Sequence, residues 1–192
     1  MSTMEQTTQA VPTGTWNADP VLSEIGFSVE YMAGTFRGTF EKFGVQLVNG
    51  VLTGTADVTS ISVKDENLEA HLLSPDFFDA ERNPELSFRS TEISREGDKV
   101  TIAGEVTIKG HTAPAEIRGT ISDPITDPWN NERFGLKLET TVDRTTFGLN
   151  WNNPLPSGEP ALANGYMAGQ RRRASTPKEA ACECGNKGHF SK

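Results

Sequence analysis

Apolar and polar residues alternate with a period of two along much of this chain. Ile25, Phe27, Val29 and Tyr31 share one parity and Glu24, Gly26, Ser28 and Glu30 the other, the pattern of a strand with one buried and one wet face. Val100, Ile102, Gly104, Val106 and Ile108 repeat it. So do Phe134, Leu136, Leu138, Thr140 and Val142, set against Gly135, Lys137, Glu139, Thr141 and Asp143. One wet face is the habit of antiparallel sheets. Segments 35–48, 51–63, 85–94 and 113–122 are further strand candidates. Asn49-Gly50 and Glu96-Gly97-Asp98 have the composition of hairpin turns, because these residues tolerate positive φ, so the strands they join are neighbours.

The rhythm changes between Asp65 and Ala80. Leu68, His71, Leu72 and Phe78 recur every three or four residues, which predicts a short helix interrupted at Pro75. Many strands with one short helix suit a barrel better than a sandwich, since a barrel has an end for the helix to cover. After Asn150 the prolines at 154, 156 and 160 mark a loop, and beyond Asn164 the alternation does not return. The expected organisation is a flexible N-terminus over 1–13, one domain over 14–164, and an atypical, basic, largely disordered tail over 165–192.

Charge sharpens that division. The 192 residues carry 18 Lys+Arg and 26 Asp+Glu for a net −8. Residues 171–192 hold six of the cations and only Glu179 and Glu183, which leaves the rest of the chain at −12. So acidic a body repels nucleic acid and anionic membranes, and only the tail offers weak, salt-sensitive membrane contact. No apolar run approaches the roughly 18 residues of a membrane span, and residues 1–13 lack a signal peptide's cationic start and apolar centre. Cys182 and Cys184 are the only cysteines and cannot staple the domain, which fits a reducing compartment; the expected location is the cytoplasm. Oligomeric state is not legible.

Few residues invite chemistry. Asp76 and Asp79 form either a carboxylate pair for acid–base work or an acidic cap around a helical turn, and the cap is favoured because no nucleophile or histidine adjoins them. His71 and His111 are isolated and read as structural. Asp143 and Arg144 are adjacent, so on a strand they face opposite sides, leaving Arg144 a structural or head-group residue at the rim. Cys182-Glu-Cys184 with His189 falls short of a zinc knuckle in spacing and ligand number. Nucleophile elbow, phosphate loop and dinucleotide fingerprint are all missing. No catalytic residue, metal site or cofactor is expected.

Four ordered stretches carry a family likeness. They are Trp16-Asn-Ala-Asp19 with Ser23-Glu-Ile-Gly-Phe27-Ser-Val29; Asn67 to Asp79 followed by Pro84-Glu-Leu-Ser-Phe88-Arg-Ser90; Val106-Thr-Ile-Lys109-Gly110-His111-Thr112; and Asp143-Arg144-Thr-Thr-Phe147-Gly148. Over residues 14 to 164 the chain resembles the YceI-like family of bacterial lipid- or polyisoprenoid-binding proteins, departing from it at Leu22, where a histidine is common. The resemblance implies a mostly β, antiparallel, lipocalin-like barrel of about eight strands with one short helix. It also implies an interior that holds a long prenyl chain. The family ends on a further alternating strand, where this chain reads Gly165-Tyr-Met-Ala-Gly-Gln-Arg171, a departure that bears on whether the barrel closes.

In such a barrel core and cavity wall are one surface, so ten phenylalanines, several on the inward parity, read either as packing or as wall. The expected ligand-lining set is Phe27, Val29, Tyr31, Phe36, Phe40, Phe78, Phe88, Ile102, Val106, Phe134, Leu136 and Leu138. The implied function is non-enzymatic binding or carriage of an isoprenoid or other long-chain lipid. Its rivals are an enzyme acting on a small apolar molecule in the same cavity, and an interaction module using exposed strand edges.

Overall fold

The computed structural model describes residues 10–31, 34–151, 162–170 and 174–177. Arg171–Arg173, Cys182, Cys184 and His189, on which the readings of a membrane-touching tail and an incomplete zinc site rest, lie outside them. In chain order the elements are β1 (Thr15–Asn17), β2 (Ile25–Tyr31), β3 (Gly34–Phe40), β4 (Phe43–Val48), β5 (Val51–Asp57), β6 (Ile61–Ser62), α1 (Glu66–Leu73), β7 (Glu85–Glu96), β8 (Lys99–Ile108), β9 (His111–Ile121), β10 (Ile125–Thr126), β11 (Glu132–Asp143), β12 (Leu162–Gln170) and β13 (Ala174–Pro177). The described residues are mostly β with one α-helix.

All strands join one antiparallel sheet whose hydrogen-bonded path runs β1-β4-β5-β7-β8-β9-β11-β12-β2-β3-β6, with β10 and β13 also paired to β11. β4 and β3 lie near opposite ends of this path, yet only Glu41 and Lys42 separate them in the chain. The sheet therefore curls back on itself. Ser60 reinforces the seam: its backbone carbonyl accepts from the Glu41 N–H at 3.0 Å and its Oγ from the Lys42 N–H at 2.9 Å.

The parity of β2, β8 and β11 turns inward as the alternation requires. Two packed regions result. One gathers Phe27, Phe40, Leu72, Phe78, Phe147 and Leu149 beneath α1; the other gathers Trp16, Leu47, Ile102, Phe134 and Leu136, with Trp16 edge-on to Phe134 at 4.7 Å. Ile25 and Phe43 pack against both.

The helix is shorter than the stretch that predicted it. The Asp65 carboxylate accepts from the Leu68 N–H at 2.9 Å to start it, and it ends at Ser74, just before Pro75. Phe78 then donates its N–H to the Leu72 carbonyl and Ala80 to that of Leu73, folding the 75–80 turn back so that Phe77 and Phe78 are buried.

Several boundaries differ from the sequence reading. Segment 35–48 is two strands broken at Glu41-Lys42, and 51–63 is broken by a 3-10 turn over Val58–Ser60 that the Asp57 side chain caps. The cap of α1 is Asp65, and not the Asp76–Asp79 pair. Asp76 is exposed, and Asp79 works through its backbone at φ 50°, its carbonyl accepting from Arg82 and Asn83. Residues 165–170 and 174–177, expected within a disordered tail, are strands. β12 pairs with both β11 and β2 and so occupies the closing position.

Candidate functional site

An apolar cavity of about 150 Å³ lies between the two packed regions. Its wall draws on Ile25 of β2, Val45 of β4, Leu52, Gly54 and Ala56 of β5, Leu86 and Phe88 of β7, Val106 of β8, Ile117 of β9 and Leu138 of β11. These positions share the buried parity of their strands, which is why the wall is apolar. Gly54 opens part of the space. It pairs with Val45, and a Cβ there would meet nothing closer than a Val45 methyl at 3.6 Å.

Glycine also places the aromatic rings. A Cβ on Gly104 would stand 2.7 Å from the Phe88 ring, and one on Gly38 2.6 Å from the Phe27 ring, so each ring lies over a glycine on the neighbouring strand. A side chain at Gly38 would push the Phe27 ring away, and one at Gly104 would also collide with the Arg89 backbone carbonyl. Next to the Thr53–Arg89 pair at the end of the β5–β7 ladder, the buried Ser90 Oγ accepts from the Leu52 N–H at 2.8 Å and so satisfies a buried donor of β5.

Of the residues predicted to line a ligand site, Phe88, Val106 and Leu138 border this cavity. Phe27, Val29, Phe40 and Phe78 are buried in the region under α1, and Phe36 packs against it. Ile102, Phe134 and Leu136 are buried in the region around Trp16. Tyr31 ends β2, and its side chain lies outside those described. The wall residues outside the predicted set are Ile25, Val45, Leu52, Gly54, Ala56, Leu86 and Ile117; Ile25 lies on the parity read for β2, and the others on segments read only as strand candidates. Val45 and Leu47 mark an apolar parity on β4, whereas on β5 Gly54 and Ala56 are too small to mark one.

The polar candidates do not gather into a catalytic group. His71 stacks edge-on against Trp151 at 4.5 Å and Phe77 at 5.8 Å, while His111 is exposed, near Gly148. Asp143 accepts from the Thr145 N–H at 2.9 Å and its hydroxyl at 2.7 Å, and those bonds hold its pKa below the usual carboxylate range. Arg144 is buried; its Nη1 donates to the Leu149 and Trp151 carbonyls, and burial lowers its pKa against the opposing charge of Asp143. Arg144 thereby clamps the turn after β11. Among the described residues no three His, Cys, Asp or Glu side chains are placed to hold a metal ion, and no helix is long and apolar enough to cross a membrane.

A curled antiparallel sheet with an apolar cavity in its wall of strands and one helix packed through Leu72 against its phenylalanines has the architecture of a β-barrel. The chain belongs to the YceI-like family: residues 16–165 match the YceI-like domain. It is 31% identical over 152 residues to a UPF0312 protein of Staphylococcus epidermidis, spanning 74% of this chain and 86% of that one. BcnA of Burkholderia cenocepacia shares the fold with a TM-score of 0.64 at 19% identity, over 84% of this chain and 99% of BcnA. A polyisoprenoid binding domain from Saccharophagus degradans, implicated in plant cell wall breakdown, does so with a TM-score of 0.64 at 7% identity, over 85% and 97%.

Proposed function

We propose that this protein binds an isoprenoid or similar long-chain lipid in the barrel interior without transforming it. The observation that carries the reading is the apolar cavity of about 150 Å³ between the two packed regions. A cavity of that size holds a guest of roughly benzene dimensions, or about one five-carbon isoprene unit. At ~0.8 kcal/mol per buried CH₂, one unit supplies ~4 kcal/mol, which is only millimolar binding before association costs. A ligand held at micromolar strength therefore has several units and displaces side chains beyond the resting cavity. Phe27, Phe36, Phe40 and Phe78, packed edge-on or tilted against one another, are the groups that would yield. The binding fold of the Saccharophagus degradans domain supports the same ligand class. The cytoplasmic setting belongs to the same proposal, supported by cysteines placed too close together to cross-link the domain.

The test is extraction of cell-purified protein and identification of the bound molecule by mass spectrometry, alongside a cavity-filling variant. Gly54→Leu should fill the space, keep the melting temperature within a few degrees, and reduce binding of a fluorescent farnesyl probe at least tenfold. Undiminished binding in a folded Gly54→Leu variant, or turnover of the extracted ligand by the intact protein, would overturn the reading.

A further inference from the structure

Five large apolar side chains stand out as exposed among the described residues: Val21 at 87%, Trp129 at 78%, Ile125 at 66%, Leu22 at 54% and Val48 at 36%. Four of them occupy two segments far apart in sequence, the 19–22 turn and the stretch from β10 into the turn at Trp129, and one arginine ties those segments together. Arg133 donates from Nη1 to Asp19 Oδ2 at 2.9 Å and from Nε to Asp127 Oδ2 at 2.7 Å. Each carboxylate spends its other oxygen on its own segment. Asp19 Oδ1 accepts from the Val21 N–H at 2.9 Å, and Asp127 Oδ1 from the N–H groups of Trp129 and Asn131 at 2.9 Å. A fixed polar base thus holds four apolar side chains out into solvent, where packing makes no use of them.

We propose that these two segments form a docking surface for a zwitterionic lipid bilayer. Area argues against a protein partner: four side chains make a patch on the order of 300–600 Å², short of the roughly 800 Å² per side of a stable protein interface. A bilayer asks for no matching surface, only apolar groups on a firm base that reach ~5–10 Å into the head-group boundary. Tryptophan favours that depth. Charge selects the lipid. Two aspartates share one arginine in the base, a local charge of −1, so the patch itself offers anionic head groups no attraction.

The experiment uses the full chain with phosphatidylcholine vesicles, some carrying brominated acyl chains, and no isoprenoid, so its outcome is independent of what the cavity holds. The protein should float with the vesicles in high salt as in low. Emission from Trp129 should be quenched by the bromines, since Trp16 is buried and Trp151 is shielded against His71 and Phe77. The double variant Ile125→Ser/Trp129→Ser should float roughly tenfold less at an unchanged melting temperature. Three results would overturn the proposal. They are no flotation of the intact protein, flotation that requires anionic lipid and low salt and survives the double substitution, or a solution dimer that the double substitution dissolves.

Discussion

Asp127 shows how one side chain can organise a surface. Burial by itself would raise its pKa, but hydrogen bonds from the Asn131 N–H, the Arg133 guanidinium, the Asn131 amide and the Trp129 N–H outweigh that and hold it at about 2, against 3.8 for a free aspartate. The folded value lies below the unfolded one, so the stabilisation is complete above about pH 4 and disappears as the pH falls through about 2. Thermal melts should therefore show Asp127→Asn less stable than the parent at neutral pH, with the gap closing between about pH 4 and pH 2. The variant will keep some acid sensitivity of its own, because Asp19, Asp57 and Asp143 are also held below the usual range. Arg133 is raised by its two partners and stays charged throughout. A gap that is constant with pH would mean that Asp127 works through shape rather than charge.

Elements here begin and end on short polar signals rather than on propensity. For α1 the signal is Asp65, and losing an N-cap of this kind costs about 1 kcal/mol. Asp65→Ala should lower the melting temperature by ~2–4 °C in calorimetry, with the helix still anchored by buried Leu72. The same logic ends two strands. Asp57-Val58-Thr59 after β5 and Asp143-Arg144-Thr145 within the turn after β11 both use an aspartate to cap a 3-10 turn through the threonine N–H. Alternation made β2, β8 and β11 legible, since each has a full row of large apolar residues on one parity. The Asn49-Gly50 turn was legible because both residues sit at positive φ, 48° and 82°. β5 is harder to read. Its inward row includes Gly54 and Ala56, residues too small to register as an apolar stripe, and those gaps are part of what leaves room for the cavity. Asp57-x-Thr59 breaks the 51–63 segment, and the valine and isoleucine that flank it disguise the break as continuous strand.

At the scale of the whole molecule the decisive element is the one that local pattern concealed. β12 reads Leu-Ala-Asn-Gly-Tyr-Met-Ala-Gly-Gln, with two glycines and two alanines and no clean parity, so nothing in its own propensity marks a strand. Its place comes from its neighbours: β2 and β11 each present an edge, and a segment that pairs with both removes two open edges at once. That pairing reaches the cavity wall. Gln170 is in register with Gly26 on one side and Glu139 on the other, and Gly169 with Thr140, so the strand bridges residues that border the cavity. A chain ending at Asn164 loses most of β12 and all of β13, whereas one ending at Pro177 keeps both. The shorter chain should melt more than ~4 °C below the full-length protein, beyond the shift that one lost kcal/mol produces in a domain of this size, and should bind the farnesyl probe poorly. The longer one should match the full-length protein in both measurements. Equal melting temperatures for all three would mean that β2 and β11 meet without β12, and that the barrel closes on fewer strands.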